Sequence, residues 1–373
     1  MKMWFMIMIV SLLLMAAALA YLSSRVWKFA FIDRFSKGIP RQKRAAGAAL
    51  VLGSFLLITI LMGLPNAFVC ALYFSFAWII SDSAFFFLKK KGIFHSEKYY
   101  AGLAAVIIAV SSLAAGWYNA HHVWRTEYNL TAEKTVQPLK IAMFADSHVG
   151  TTFSGKGLFR HIESIQADNP DMLIIAGDFV DDSTSRKDME DACRALGSIK
   201  TKYGVYFSFG NHDGGYYGAE KRGFSGADLI NELKKNGVNV LRDEAAEAGD
   251  YYVIGRRDYS MEREQNGRRK AMNELLQGLD NGKYSITIDH QPADYAGEAA
   301  AGADLVLSGH THGGQLFPFN RVGKWIGAND RIYGHERRNK TDFIVTSGIS
   351  AWSIRFKTGT KSEYVIVNIK TAQ

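Results

Sequence analysis

Acidic residues are nearly absent from the first third of the chain. Residues 1–119 hold Asp33, Asp82 and Glu97 against 12 Lys and Arg. The full 373 residues carry 44 Lys+Arg and 36 Asp+Glu, which leaves 32 and 33 for residues 120–373. The formal charge of +8 therefore belongs to one end of the molecule. A polyanion-binding protein carries its basic surface on the folded soluble part, so no nucleic-acid partner is expected. Cysteine is scarce as well. Cys70 lies inside an apolar run, which leaves Cys193 without a partner and excludes a disulfide scaffold. Repeats and low-complexity segments are missing. Apolar residues are not: 48% hydrophobic content excludes a disordered chain. The length suits two domains, or one domain plus an appendage.

Four long apolar runs fill the acid-poor third, at residues 4–22, 45–64, 67–88 and 99–118. About 20 apolar residues span the hydrocarbon core as a helix, and each run is long enough. Asp82 is the one charged residue inside them. It lies near a helix end, so hydration or pairing with Lys89 or Lys90 competes with a functional role. The segment 23–44 carries Arg25, Lys28, Arg34, Lys37, Arg41, Lys43 and Arg44, and the segment 89–98 carries Lys89, Lys90, Lys91 and Lys98. Positive loops stay in the cytoplasm. The expectation is a multi-pass protein of the cell membrane whose chain is extracytoplasmic from about residue 121. A rival reading makes the first run a signal peptide cleaved near Ala18-Leu19-Ala20. Cleavage there would leave the loop with seven positive residues outside, against the charge rule.

Residues 1–120 thus read as an all-α four-helix transmembrane domain, and residues 121–138 as a polar linker. From residue 139 to 373 the pattern changes to short β-rich runs, at 139–144, 172–176, 204–209, 251–254, 284–288, 304–307, 343–346 and 363–369. Helical stretches at 156–167, 186–199, 227–236 and 269–279 lie between several of them. This alternation predicts an α/β domain with a largely buried sheet covered by helices.

Five of the apolar runs end in groups of polar residues. They are Asp146-Ser147-His148, Gly177-Asp178-Phe179-Val180-Asp181, Gly210-Asn211-His212-Asp213, Asp289-His290-Gln291-Pro292 and Gly309-His310-Thr311-His312-Gly313-Gly314-Gln315. Residues i and i+2 of an extended chain point to one side, so Asp146 and His148 can grip one ion. Strand ends are where α/β proteins place their sites. Seven oxygen and imidazole donors suit two borderline ions better than one. A shared carboxylate would then hold them in the two-metal arrangement used for in-line displacement. The glycines 309, 313 and 314 suit close backbone passage beside such ions.

In this order, the motifs resemble the calcineurin-like metallophosphoesterase superfamily, in particular its bacterial membrane-associated branch. The resemblance covers about residues 139–370. It implies a double β-sandwich flanked by helices. It also implies that Asp146, His148 and His312 bind a first metal, that Asn211, His290 and His310 bind a second, and that Asp178 bridges them. A hydroxide between the ions would be the nucleophile. His212 would be the general acid, and Asp181 would orient it. The cofactors are then two divalent ions, and Mn, Fe, Zn, Co and Ni all accept such donors. Asp213 and Asp289 flank ligands and are expected to act behind them.

Arg256 and Arg257 open a basic stretch that continues with Arg263, Arg268, Arg269 and Lys270. Guanidinium groups suit phosphate recognition, and a solvated loop near lipid headgroups is the competing reading. Arg355 lies in a segment that looks like the family's closing one and is a further candidate phosphate contact. The expected activity is a membrane-bound, metal-dependent phosphoric ester hydrolase cleaving a phosphoester or pyrophosphate bond of a lipid-linked or cell-envelope substrate, with membrane lipids as its surroundings. Two alternatives stay open. One is hydrolysis of a pyrophosphate such as that of UDP-2,3-diacylglucosamine, which needs a cytoplasmic site. The other is a non-catalytic membrane sensor or scaffold.

Overall fold

The computed structural model describes residues 2–36, 39–96, 98–215, 219–260 and 268–371. Lys37 and Arg263, both singled out above, lie outside the described residues. The chain divides into two compact units, Met1–Ala115 and Gly116–Gln373.

The first unit is helical. Its main helices are α1 (Lys2–Val26), α2 (Pro40–Met62), α3 (Leu64–Lys90) and α4 (Tyr100–His121), and the unit boundary falls within α4. All four are long and apolar enough to cross a membrane. Large side chains such as Leu13, Leu56, Ile60, Ile80 and Phe86 face outward. A helix bundle that was the core of a soluble protein would bury them. Asp82 does not pair with Lys89 or Lys90. Two helical turns, a rise of about 10 Å, separate it from Lys89 along α3. It meets Arg25 at the end of α1 instead, with Arg25 Nε 3.2 Å from Asp82 Oδ2. The Tyr99 hydroxyl donates to Asp82 Oδ1 at 3.1 Å, and Trp78 Nε1 donates to the Tyr99 hydroxyl. The acid is thus a hydrogen-bonded tie between helices.

The second unit is a two-sheet sandwich. Its strands are β1 (Val123–Ala132), β2 (Leu139–Phe144), β3 (Met172–Ala176), β4 (Val205–Ser208), β5 (Val238–Leu241), β6 (Glu244–Ala248), β7 (Tyr251–Gly255), β8 (Tyr284–Ile288), β9 (Leu305–Ser308), β10 (Gly334–Arg338), β11 (Thr341–Val345) and β12 (Ser362–Thr371). One sheet runs β1-β12-β2-β3-β4-β5 and the other β10-β11-β9-β8-β7-β6. Four neighbouring strands of each run parallel: β2, β3, β4 and β5 in the first, and β7, β8, β9 and β11 in the second.

The period of two along the strands builds the layers. Ile141 and Met143 of β2 join Ile174 of β3, Ile286 and Ile288 of β8, and Leu305 and Leu307 of β9 in the core between the sheets. Ala142 and Phe144 point the other way. There they meet Leu158 and Ile162 of α5 (Gly155–Ala167) and Ala192 and Leu196 of α6 (Arg186–Gly197). Ser154 and Ser185 cap these two helices by accepting backbone N–H groups of Gly157 and Asp188. A third helix, α7 (Gly226–Lys235), buries Leu229 and Leu233 on the same face and carries a Ser225–Asp228 capping box.

The segment read as a linker is corrected here. Val123–Ala132 pairs in parallel with β12 over its whole length, from Val123 opposite Ser362 to Ala132 opposite Thr371. The helical stretch expected over 269–279 shrinks to Met272–Leu276, because Arg269 is engaged in a buried ion pair described below.

Candidate metal centre

Every donor named from the sequence lies just beyond the C-terminal end of a strand. Asp146 and His148 follow β2, Asp178 follows β3, and Asn211 follows β4. His290 follows β8, and His310 and His312 follow β9. Parallel strands present these ends on one edge of the sandwich, which is why residues distant in sequence converge.

The convergence forms two groups. Asp146, His148 and His312 have donor atoms within 4.8 Å of one another, and so do Asp178, His290 and His310. In the first group His148 Nε2 and His312 Nε2 stand 3.2 Å apart, and Asp146 Oδ1 lies 3.7 Å from His312 Nε2. In the second, Asn211 Oδ1 lies 3.0 Å from His310 Nδ1. Asp178 Oδ2 lies 3.2 Å from His290 Nε2 and 3.7 Å from His148 Nε2, so one oxygen adjoins both groups. Asp178 Oδ1 accepts the backbone N–H of His212 at 2.9 Å.

The chemistry of this set fits cations. Burial pushes His148 down to about 4, His310 down to about 3, and His312 well below its ordinary value. Neutral imidazoles keep a lone pair, and two of them point at one spot beside a buried carboxylate. Burial also raises Asp146 to about 7, the behaviour of a carboxylate short of positive charge. In the second group Asp178 and His290 stabilise each other's charge against burial, which holds Asp178 well below its usual range and His290 well above its own. A divalent ion would take the place of that proton.

The surrounding structure fixes ring orientation. His290 Nδ1 lies 2.7 Å from the Ala176 carbonyl oxygen, which can only accept. The proton therefore sits on Nδ1 and Nε2 is free to ligate. The backbone N–H of His310 reaches both oxygens of Asp146 at 3.0 Å. Five donor residues adopt positive φ: Asp146 (55°), His148 (35°), Asp178 (50°), His310 (68°) and His312 (48°). Each such backbone costs of order 1–3 kcal/mol, and strain of this kind collects where side chains must be aimed. Gly210 leaves room for Asp178, since a Cβ there would collide with the carboxylate. At Gly309 a Cβ would lie 2.6 Å from Asp146 Oδ2.

One expectation about the acids needs revision. Asp181 does not face His212. Its Oδ1 accepts from the backbone N–H and hydroxyl of Ser183, both at 2.7 Å, and its Oδ2 lies 3.6 Å from His148 Nδ1. The turn closed by Thr184 holds Asp181 beside the β2 loop, with its carboxylate on the Nδ1 side of His148. The carboxylate beside His212 is Asp182, with Oδ2 3.8 Å from His212 Nδ1. Asp182 was missed by sequence reasoning. Asp213 is buried, and its oxygens accept the backbone N–H groups of Asp178, Phe179, Val180 and Gly210 at 2.8–3.1 Å. It ties the β3 and β4 loops together.

The arginine candidates divide. Arg256 is fully enclosed and pairs with Asp289 at 3.0 Å, Asp294 at 2.9 Å and Glu298 at 3.1 Å. Arg269 adds a second contact to Asp289 at 2.5 Å. Arg256 is therefore part of a buried ionic cluster behind His290 and is not placed to meet a substrate. Arg257 is half-exposed and lies 3.6 Å from Asp243. Arg355 is half-exposed and lies near His121.

The model of the calcineurin-like phosphoesterase family matches residues 139–314, a span that contains all seven donors. An uncharacterized metallophosphoesterase of Aquifex aeolicus is 32% identical over 52% of this chain and 70% of its own. One of Campylobacter jejuni is 30% identical over 62% of this chain and 59% of its own. A transmembrane protein with metallophosphoesterase domain of Danio rerio is 29% identical over 64% of this chain and 55% of its own. The chain thus spans about 60% of the length of the Campylobacter relative.

Proposed function

The chain belongs to the calcineurin-like phosphoesterases, and we propose that it is a membrane-bound, dinuclear-metal hydrolase of a phosphoester or pyrophosphate bond in a lipid-linked or cell-envelope substrate. The observation that carries this reading is Asp178 Oδ2, which stands within 3.7 Å of imidazoles from both donor groups. A carboxylate so placed suits two ions that share it. Asp146, His148 and His312 would hold one, and Asn211, His290 and His310 the other. Two such ions supply positive charge to the phosphoryl oxygens and bring a water's pKa toward neutrality.

The remaining work falls to this chain's own residues. Asp181, the Ala176 carbonyl and Asp213 keep the donors aimed. His212 hangs from Asp178 by its backbone N–H, and its ring sits 5.2 Å from that of His148. It is placed to give a proton to the departing oxygen. The oxygen of water bonds to phosphorus, the P–O bond to the leaving group breaks, and the water's proton restores His212 through solvent. Asp182 steadies the imidazolium side of this cycle.

The extracytoplasmic location rests on the basic loops 23–44 and 89–98. Purified full-length protein loaded with Mn²⁺ should hydrolyse p-nitrophenyl phosphate or its bis-ester. Folded protein inert with every one of Mn, Fe, Zn, Co and Ni would speak for a non-catalytic role. A reporter active only outside the cytoplasm, fused after Gln373, tests the location. A reporter active only inside would shift the substrate toward nucleotide-linked lipid precursors.

A further inference from the structure

Beyond the last metal donor the chain runs into an apolar surface that the hydrolysis does not use. Phe317, Phe319, Val322, Trp325 and Ile326 lie within ten residues, and all five are exposed, Trp325 and Ile326 at 72%. Arg321 and Lys324 are exposed between them, and residues 313–329 contain no acid. A soluble surface rarely gathers so much large apolar area. Aromatic and aliphatic side chains interleaved with cations are the composition of a segment that lies in a membrane interface.

This loop is held in place. Gln315 Nε2 donates to the Ile354 carbonyl at 2.7 Å, and the Gly359 N–H donates to the Gln315 carbonyl at 3.1 Å. The Phe317 N–H donates to Thr358 Oγ1 at 3.1 Å. The same 352–359 segment packs on the end of α4. The Lys357 N–H donates to the Gly116 carbonyl at 2.9 Å, and the rings of Phe356 and Trp117 lie 6.0 Å apart. The segment also reaches the catalytic edge, where the exposed Trp352 ring stands 5.7 Å from that of His212. One segment therefore ties together the apolar loop, the end of a membrane-length helix and the proposed proton donor. His312 lies only three residues before Gln315, so the loop and the metal centre are coupled along the chain as well.

We infer that Phe317–Ile326 and Trp352 form a bilayer-docking rim at the mouth of the site, and that the substrate is an amphiphilic phosphoester of an anionic lipid taken directly from the membrane. This rests on the hydrolase reading above and narrows its substrate. Arg321 and Lys324, exposed between the apolar side chains, favour anionic headgroups. The acyl part stays with the apolar loop while the phosphoryl group reaches the donors.

The test uses the full chain in nanodiscs containing phosphatidylglycerol. Ile326→Cys is labelled with an environment-sensitive fluorophore, and Lys234→Cys on α7 serves as the aqueous reference; the native Cys70 and Cys193 are buried. The label at 326 should be quenched by lipid-borne nitroxide and shielded from iodide, and the label at 234 the reverse. Equal iodide quenching at both positions overturns the proposal. So does a label at 326 shielded from both quenchers, which means that protein covers the loop. In the same discs, Trp325→Ser combined with Ile326→Ser should lower turnover of phosphatidic acid relative to p-nitrophenyl phosphate by about tenfold. An unchanged ratio overturns the delivery role. Failure to hydrolyse either compound counts against the hydrolase reading and leaves the quenching result to stand or fall by itself.

Discussion

Asp182 Oδ2 stands 3.8 Å from His212 Nδ1, while its neighbour Asp181 directs Oδ2 to within 3.6 Å of His148 Nδ1. Adjacent carboxylates in one turn thus serve two different histidines. With His148 proposed as a metal donor and His212 as the proton donor, the two acids should fail in different ways when substituted.

Asp181→Asn should weaken metal binding by about 10–100-fold, the usual cost of losing a partner behind a ligating imidazole. Asp182→Asn should keep its metal and lose turnover. Metal content by mass spectrometry, measured beside turnover in saturating Mn²⁺, separates the two. Metal loss in Asp182→Asn with none in Asp181→Asn would reverse the assignment.

His212→Asn should lower turnover by about 10²–10⁴-fold for esters with a poor leaving group, the range of general acid catalysis. The loss should be much smaller for p-nitrophenyl phosphate, whose leaving group departs without a proton. A series of aryl and alkyl phosphates checks this by the slope of rate against leaving-group pKa. An equal loss across the series would assign His212 to positioning alone.

Asp289→Ala should destabilise the fold by roughly 3–5 kcal/mol, because it strips the buried guanidinium groups of Arg256 and Arg269 of a shared partner. Arg256→Ala should act in the same direction and leave KM for p-nitrophenyl phosphate near that of the parent protein. Thermal denaturation and steady-state kinetics check both. A raised KM with unchanged stability would restore Arg256 as a substrate contact.

The donor set was legible because each donor follows an apolar strand, and a strand running into Asp, Asn or His at its end is a local signal. Asp146, His148, Asp178, Asn211, His290, His310 and His312 all have that signature. The roles of Asp181 and Asp182 had no such signal, since residues i and i+1 look alike until the turn through Thr184 decides which way each points. Arg256 misled for another reason. A cation that answers Asp289, Asp294 and Glu298 across more than thirty residues of sequence reads locally as an exposed basic loop. Strand β1 was hidden by its polarity. Arg125, Glu127 and Asn129 belong to an edge strand with much of its surface exposed, and its partner β12 lies about 240 residues away. The exposed loop 315–326 gave no sign in the sequence either, because apolar residues beyond a strand read by default as core.

The most direct test of a shared Asp178 carboxylate is calorimetric titration of chelator-stripped full-length protein with Mn²⁺. Two bound ions per chain are expected, with both sites weakened by Asp178→Asn and only one by Asp146→Asn. A single bound ion, or an Asp178→Asn protein that keeps one site at full affinity, would contradict a carboxylate shared between two metals.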